Sequence, residues 1–143
     1  MANKKAIKLN WFNTLEEGLE QSKNTGRPVM VYFTGSDWCT WCIGMSELCI
    51  NNQCFVEYAE KNLILVKIDF LKYVKMTDER KKYCYDTFYD FGLTGLPTVL
   101  LLDNDAVVLG ITNFQHDLYG MDFVKEIAGI IEAGQLDYSA LPV

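Results

Sequence analysis

Histidine is almost absent from this chain, and basic residues are outnumbered. His116 is the single histidine in 143 residues. It falls in a loop after a hairpin with no cysteine near it in sequence, so it reads as a solvated side chain rather than a catalytic base. Thirteen Lys and Arg stand against nineteen Asp and Glu, a formal net charge of −6. That balance argues against nucleic acid and anionic membranes as partners. Long apolar runs are missing too. The longest, such as Leu63 to Val66 and Thr98 to Leu102, are strand-sized, so no membrane insertion is expected. Met1-Ala2-Asn3-Lys4-Lys5 carries positive charge with no apolar h-region behind it, so no signal peptide is expected in this sequence. That is consistent with a cytoplasmic protein or with the mature-length form of an exported one. Five cysteines are an odd number and too few for a disulfide scaffold. There is no repeat, no low-complexity segment and no internal boundary. Half of the residues are hydrophobic, enough for one domain with a single core, about 6 to 134, followed by a short tail ending at Val143.

What the chain does have is a strand that hands two cysteines to a helix. Pro28-Val29-Met30-Val31-Tyr32-Phe33 is a short apolar, aromatic and β-branched run bounded by Gly26 and Gly35, which predicts a buried strand. Beyond Thr34-Gly35-Ser36-Asp37-Trp38-Cys39-Thr40-Trp41-Cys42, the residues Cys42, Met45 and Cys49 form a helical stripe. Cys39 and Cys42 are thereby placed in the first turn of a helix. Three residues apart on one face, their Cβ atoms lie about 5–6 Å apart, close enough to close a disulfide with a small adjustment. The unpaired N–H groups of the first turn stabilise a thiolate at Cys39 and lower its pKa. Cys42, one turn deeper and facing inward, is the natural resolving thiol. A C-x-x-C in this setting is a redox motif.

Two other readings compete. Cys39, Cys42, Cys49 and Cys54 have spacings that invite a zinc site, but Cys49 is two helical turns past Cys42, roughly 10 Å of rise, too far for one tetrahedral metal on an intact helix. Two inert buried thiols would leave their position at a helix start unexplained. No metal and no cofactor are expected.

The remaining elements follow from periodicity and punctuation. Ala6 to Leu9 is a weak first strand with edge lysines. Thr14-Leu15-Glu16-Glu17 has the form of a capping box and opens a helix, Leu15 and Leu19 inward, that ends near Gly26. The helix after Cys42 breaks at Asn51-Asn52-Gln53 and resumes to about Lys61. Leu63 to Asp69 is a strand buried on both faces. Asp78 to Asp90 is a helix stopped by Gly92, its aromatics read as core and rim packing. Thr98 to Leu102, a turn at Asp103-Asn104-Asp105, and Ala106 to Ile111 form a hairpin. Met121 to Glu132 is the last helix. This order predicts an α/β fold, a central mixed β-sheet with helices on both faces.

Trp38-Cys39-x-x-Cys42 after a strand, with Gly95-Leu96-Pro97-Thr98 before another, resembles the thioredoxin superfamily. The fuller string from Phe33 to Cys42 is similar to bacterial exported thioredoxin-like disulfide oxidoreductases, relatives of DsbH and of the C-terminal domain of DsbD. The resemblance runs from about Trp11 to Gly134. It implies the thioredoxin fold, a Cys39 nucleophile, a Cys42 resolving thiol and a periplasmic setting. It also implies a cis-proline at Pro97 facing the dithiol, with Leu96 presenting backbone to an extended substrate segment. The implied partners are protein disulfides and an upstream dithiol electron donor, met by a monomer. Trp38 reads equally as core cover and as substrate rim; Trp41, between the cysteines, reads as rim.

The chain departs from that family in one respect. Tyr32 stands where thioredoxins keep a buried Asp, and Ser46 stands four residues past Cys42, where relatives often place an acid. Glu47 or water is then the proton acceptor for Cys42. Cys49, Cys54 and Cys84 default to inert packing, with a Cys49–Cys54 bridge as the minor alternative. No histidine or extra cation flanks Cys39, and Asp37 adds a negative charge. Its pKa is therefore expected to fall from about 8.5 to about 7, a poise suited to a reductase or isomerase rather than a dedicated oxidant. The competing function is a redox-silent module that holds extended peptides on Trp38, Trp41 and Pro97.

Overall fold

A computed structural model describes residues 7–115 and 117–135. His116, Ala6 and the tail after Gln135 lie outside the described residues. Five strands form one sheet in the order β1-β3-β2-β4-β5: β1 Trp11–Phe12, β2 Val29–Thr34, β3 Ile64–Asp69, β4 Thr98–Leu102 and β5 Val108–Thr112. β3 runs parallel to both β1 and β2, while β4 is antiparallel to β2 and to β5. Among the described residues, five α-helices cover the two faces: α1 Leu15–Thr25, α2 Thr40–Met45, α3 Gln53–Asn62, α4 Asp78–Asp90 and α5 Met121–Gly134.

Strand alternation sorts the core into two layers. Met30, Tyr32, Leu65, Val99 and Leu101 face α2, α3 and α5, where Phe55 meets Phe123 at 5.4 Å between ring centres. Val31, Phe33, Val66, Ile68 and Leu100 face the opposite way, onto Phe88 of α4 and the half-buried Leu15 and Leu19 of α1. Every residue of β2 and β4 is buried, which is why both read as unbroken apolar runs. α1 comes close enough to the sheet that a Cβ at Gly18 would stand 2.3 Å from Val66 Cγ2.

Local signals place most boundaries. The Thr14 hydroxyl accepts the Glu17 N–H at 3.2 Å and donates to the Glu17 carboxylate at 2.8 Å, starting α1. Gly26 ends it at φ 76°, its N–H donating to Ser22 O at 2.8 Å. Asn52 caps α3 through the Cys54 N–H, and Thr77 caps α4 through the Arg80 N–H.

Three placements differ from the sequence reading. The first strand is Trp11–Phe12, and residues 7–9 are not part of the sheet. The aromatic pair straddles the edge: Trp11 packs on Tyr32 at 6.1 Å and beneath Lys67, and Phe12 joins the opposite core layer. The return strand of the hairpin begins only at Val108, because Asp103 accepts the N–H groups of Asp105 and Val107 and Ala106 takes φ 63° to complete the turn. Third, α2 continues past Met45 as a π-helical turn, Ser46–Ile50, closed by Asn51 N–H donating to Ser46 O at 2.8 Å. The wide turn buries the consecutive residues Cys49 and Ile50 together.

Candidate active site

The dithiol stands where β2 ends and α2 begins. Cys39 is the N-cap residue of α2, its backbone extended at φ −86° and ψ 110°. Its sulfur accepts the backbone N–H of Cys42 at 3.3 Å, a bond that a Ser or Asp cap would make with oxygen. Both residues are thiols. Cys39 keeps 8% of its surface open to solvent and Cys42 none. Of the pair, only Cys39 thus has any surface open to solvent.

The preceding turn is held by a set of polar contacts that the sequence reading did not find. Ser36 donates its backbone N–H to Asp69 Oδ1 at 2.9 Å and its hydroxyl to the other oxygen of the same carboxylate. Asp37 accepts three backbone N–H groups, from Lys72 and Tyr73 at 2.9 Å and Val74 at 2.8 Å. Partial desolvation pulls the Asp37 carboxyl upward, but these bonds outweigh it and hold the pKa below its ordinary value. The charge that sequence reading set against Cys39 is therefore engaged by the loop after β3. Trp38 donates its indole N–H to Phe70 O at 2.6 Å, and its ring lies so close over Gly35 that a Cβ there would be 2.6 Å from it. Trp38 is thus both an anchored cover and, at 42% exposure, part of the rim.

The loop before β4 closes the site from the other side. The Leu96–Pro97 peptide bond is cis. Pro97 and Trp41 line one cavity of about 400 Å³, together with Ile111 and Phe114, and the Trp41 and Phe114 rings meet at 6.2 Å. Leu96 and Trp38 share a second, smaller cavity with Phe70 and Tyr85. Of the four residues expected to grip substrate, Trp41 and Pro97 line the first cavity, Trp38 the second, and Leu96 lines both.

Behind Cys42 the carboxylate of the thioredoxins is replaced by hydroxyls. Tyr32 is fully buried, 2.9 Å from the Ser46 hydroxyl, and donates to the Cys42 carbonyl at 3.2 Å. The two departures noted in the sequence are one contact. Burial holds the Tyr32 hydroxyl above its ordinary pKa, so at neutral pH it is a donor and not a base. Thr34, one residue pair further along β2, has a buried hydroxyl without a full hydrogen bond and lies toward the Cys42 thiol. Glu47, the acid put forward from sequence, is exposed on the π turn. Burial first, and the hydrogen bond with Cys39 second, push the Cys42 thiol up to about 11, against smaller downward pulls from Gly35 and Thr34. The Cys39 contribution ends once Cys39 is itself disulfide-bonded. Tyr32→Phe, which keeps the ring and deletes the hydroxyl, should lower stability by about 1–2 kcal/mol in urea unfolding, because Ser46 and the Cys42 carbonyl lose a buried partner. An unchanged midpoint would mean that these bonds contribute nothing.

The other cysteines stand apart. Cys49 donates to Leu118 O at 3.3 Å, its pKa pushed up to about 11 by burial and then by Glu126. Cys54 is half-buried, and it and Cys49 are both free thiols. Cys84 is buried in the core layer on the opposite face of the sheet.

A five-stranded mixed sheet with a dithiol at the start of a covering helix and a cis-proline loop beside it is the thioredoxin fold. The chain belongs to the thioredoxin-like family, whose model matches residues 10–104. It is 30% identical over 110 residues to the disulfide bond reductase DsbH of Chlamydia pneumoniae, and 22% identical over 142 residues to the thioredoxin-related protein DsbJ of the same organism. Those alignments take in 77% and 99% of this chain but only 66% and 40% of the two relatives. Among solved structures, a DsbH oxidoreductase superposes with a TM-score of 0.81 at 25% identity, over 92% of each chain.

Proposed function

We propose that the protein is a thiol–disulfide oxidoreductase that reduces or isomerises protein disulfides through Cys39 and Cys42. The observation that carries this reading is the asymmetry of the pair, one thiol capping a helix and still partly open to solvent, the other fully buried. In the reaction, the Cys39 thiolate attacks one sulfur of the substrate disulfide. That bond breaks, and the released substrate thiolate takes up a proton. Cys42 then gives up its proton to solvent and attacks the Cys39 sulfur, which expels the second substrate thiol and leaves a Cys39–Cys42 disulfide. Two electrons have passed to the substrate, and an upstream dithiol donor restores the pair. With Cys39 bonded to substrate, its hydrogen-bond and charge contributions to holding the Cys42 proton are gone and burial alone remains, so the second step becomes easier at the moment it is needed.

Trp38, Trp41, Leu96 and Pro97 form the contact surface, the Leu96 backbone pairing with an extended substrate segment. The similarity to DsbH favours reduction over isomerisation, and an exported, periplasmic setting, where protein disulfides form, is the compartment that fits. Titration of free thiols before and after dithiothreitol separates this reading from a redox-silent peptide-binding module. An oxidoreductase, once oxidised, should release two additional thiols reversibly, both mapping to Cys39 and Cys42. A count that does not change with dithiothreitol rules the redox cycle out.

A further inference from the structure

On the α4 side of the dithiol lies a cavity of about 440 Å³ whose lining departs from the rest of this acidic molecule. Its apolar wall is largely aromatic, with Trp38 on the dithiol side, Phe70 just after β3 and Tyr85 on α4, joined by Leu71 and Met76. Tyr85 meets Phe70 edge-on at 5.1 Å. Its charged groups among the described residues are Lys72 and Lys81, with no carboxylate among the described lining residues, although the chain carries a net charge of −6. Lys72 Nζ stands 5.7 Å above the Trp38 ring. The position of Lys72 is set by the protein, because its backbone N–H is one of the three held by Asp37. The smaller cavity shared by Trp38, Phe70, Tyr85 and Leu96 continues the same trough toward the cis-proline loop.

We propose that this trough is a substrate subsite that seats an apolar side chain of the disulfide-bearing segment against Trp38, Phe70 and Tyr85 and a neighbouring carboxylate at Lys72 and Lys81. The inference rests on the oxidoreductase reading, since it takes the occupant to be the segment that Cys39 attacks. The physical case has two parts. An aromatic-walled trough gains most from burying an apolar or aromatic side chain. Two cations without a lining carboxylate favour an anion and repel a substrate lysine, and that repulsion gives selectivity as well as affinity. The predicted preference is therefore for acidic, aromatic sequences beside the target cysteine, unexpected for a protein whose overall charge would repel them.

The test is competition between two disulfide-linked peptides identical except beside the cysteine, one carrying Phe and Glu and the other Ser and Lys. Reduction of a small symmetrical disulfide such as hydroxyethyl disulfide is followed in parallel. The acidic aromatic peptide should be reduced about three- to tenfold faster in kcat/KM, and the advantage should shrink as salt is raised. In Lys72→Glu/Lys81→Glu the ratio between the peptides should fall well below the wild-type value and lose its fall with salt, and Tyr85→Ala should lower the ratio while its salt dependence remains. Because each readout is a ratio within one variant, general damage to the dithiol cancels. If the small disulfide is reduced but the wild-type protein treats both peptides alike, or the ratio survives the charge reversal, the subsite is refuted while the oxidoreductase reading stands. If not even the small disulfide is reduced, the oxidoreductase reading fails and the subsite with it.

Discussion

Cys42→Ser should trap substrate on the protein, and Cys39→Ser should abolish turnover. With serine at position 42 the first exchange still occurs, because Cys39 keeps its place at the start of α2. The second exchange is lost, since a hydroxyl does not ionise at neutral pH and cannot expel the bound substrate thiol. The expected product is a mixed disulfide on Cys39, visible as a mass adduct that dithiothreitol removes. With serine at position 39 the only remaining thiol of the pair is Cys42, fully buried, and burial, the largest cause of its raised pKa, still favours the protonated form. At pH 7 that thiol stays protonated, and it has no open path to a protein disulfide. Turnover should fall by at least about a thousandfold, as expected when the nucleophile of a covalent mechanism is removed. If Cys39→Ser accumulates the mixed disulfide and Cys42→Ser does not, the roles are reversed. If neither does, the covalent mechanism is wrong.

The second large effect is on stability at alkaline pH, and it depends on redox state. Cys42 and Cys49 are each pushed from 9.0 to about 11, burial being the main cause for both. These are acids whose folded pKa lies above the unfolded value. Between about pH 9 and pH 11 the native state therefore holds more protons than the unfolded chain, and stability falls as pH rises. Two units correspond to roughly 3 kcal/mol for each thiol, together a large part of the 5–15 kcal/mol that typically holds a domain folded. Cys84, Tyr32, Tyr58 and Tyr83 are shifted in the same direction, and each adds to the fall with the same sign. Oxidation to a Cys39–Cys42 disulfide takes Cys42 out of the titration. Urea unfolding from pH 8 upward should then show a steep loss for the reduced protein and a shallower one for the oxidised protein, with Cys49→Ala flattening both. Parallel curves for the two redox states would contradict the burial assigned to Cys42.

The fold was legible because the strongest signals along this chain are local. β2, β4 and α4 fall within one residue of where apolar runs and caps predict them, and the Thr14 cap and Gly26 stop act as their residue types require. The misplaced first strand shows where local reasoning ends. Residues 6–9 alternate weakly, whereas Trp11 and Phe12 earn their place by pairing with Leu65 and Val66, more than fifty positions away. The π turn after Met45 has no signature of its own; it places Cys49 and Ile50 together in the core layer shared with α3 and α5.

By itself, then, the sequence determined the two thiols, their spacing and their position at a helix start, because two residues three apart at the start of a helix fall on one side of it. It also marked Tyr32 and Ser46 as departures from the thioredoxin pattern. Only the tertiary structure decided that these two residues face each other behind Cys42, since their contact spans a strand-to-helix crossing that no periodicity records. The same holds for Asp37, whose carboxylate meets amide groups thirty-five to thirty-seven positions further on. It holds as well for the lysines that stand beside an aromatic wall on an acidic protein. Periodicity fixes which face of an element a side chain takes, whereas the partner across the gap is set by how the elements are stacked.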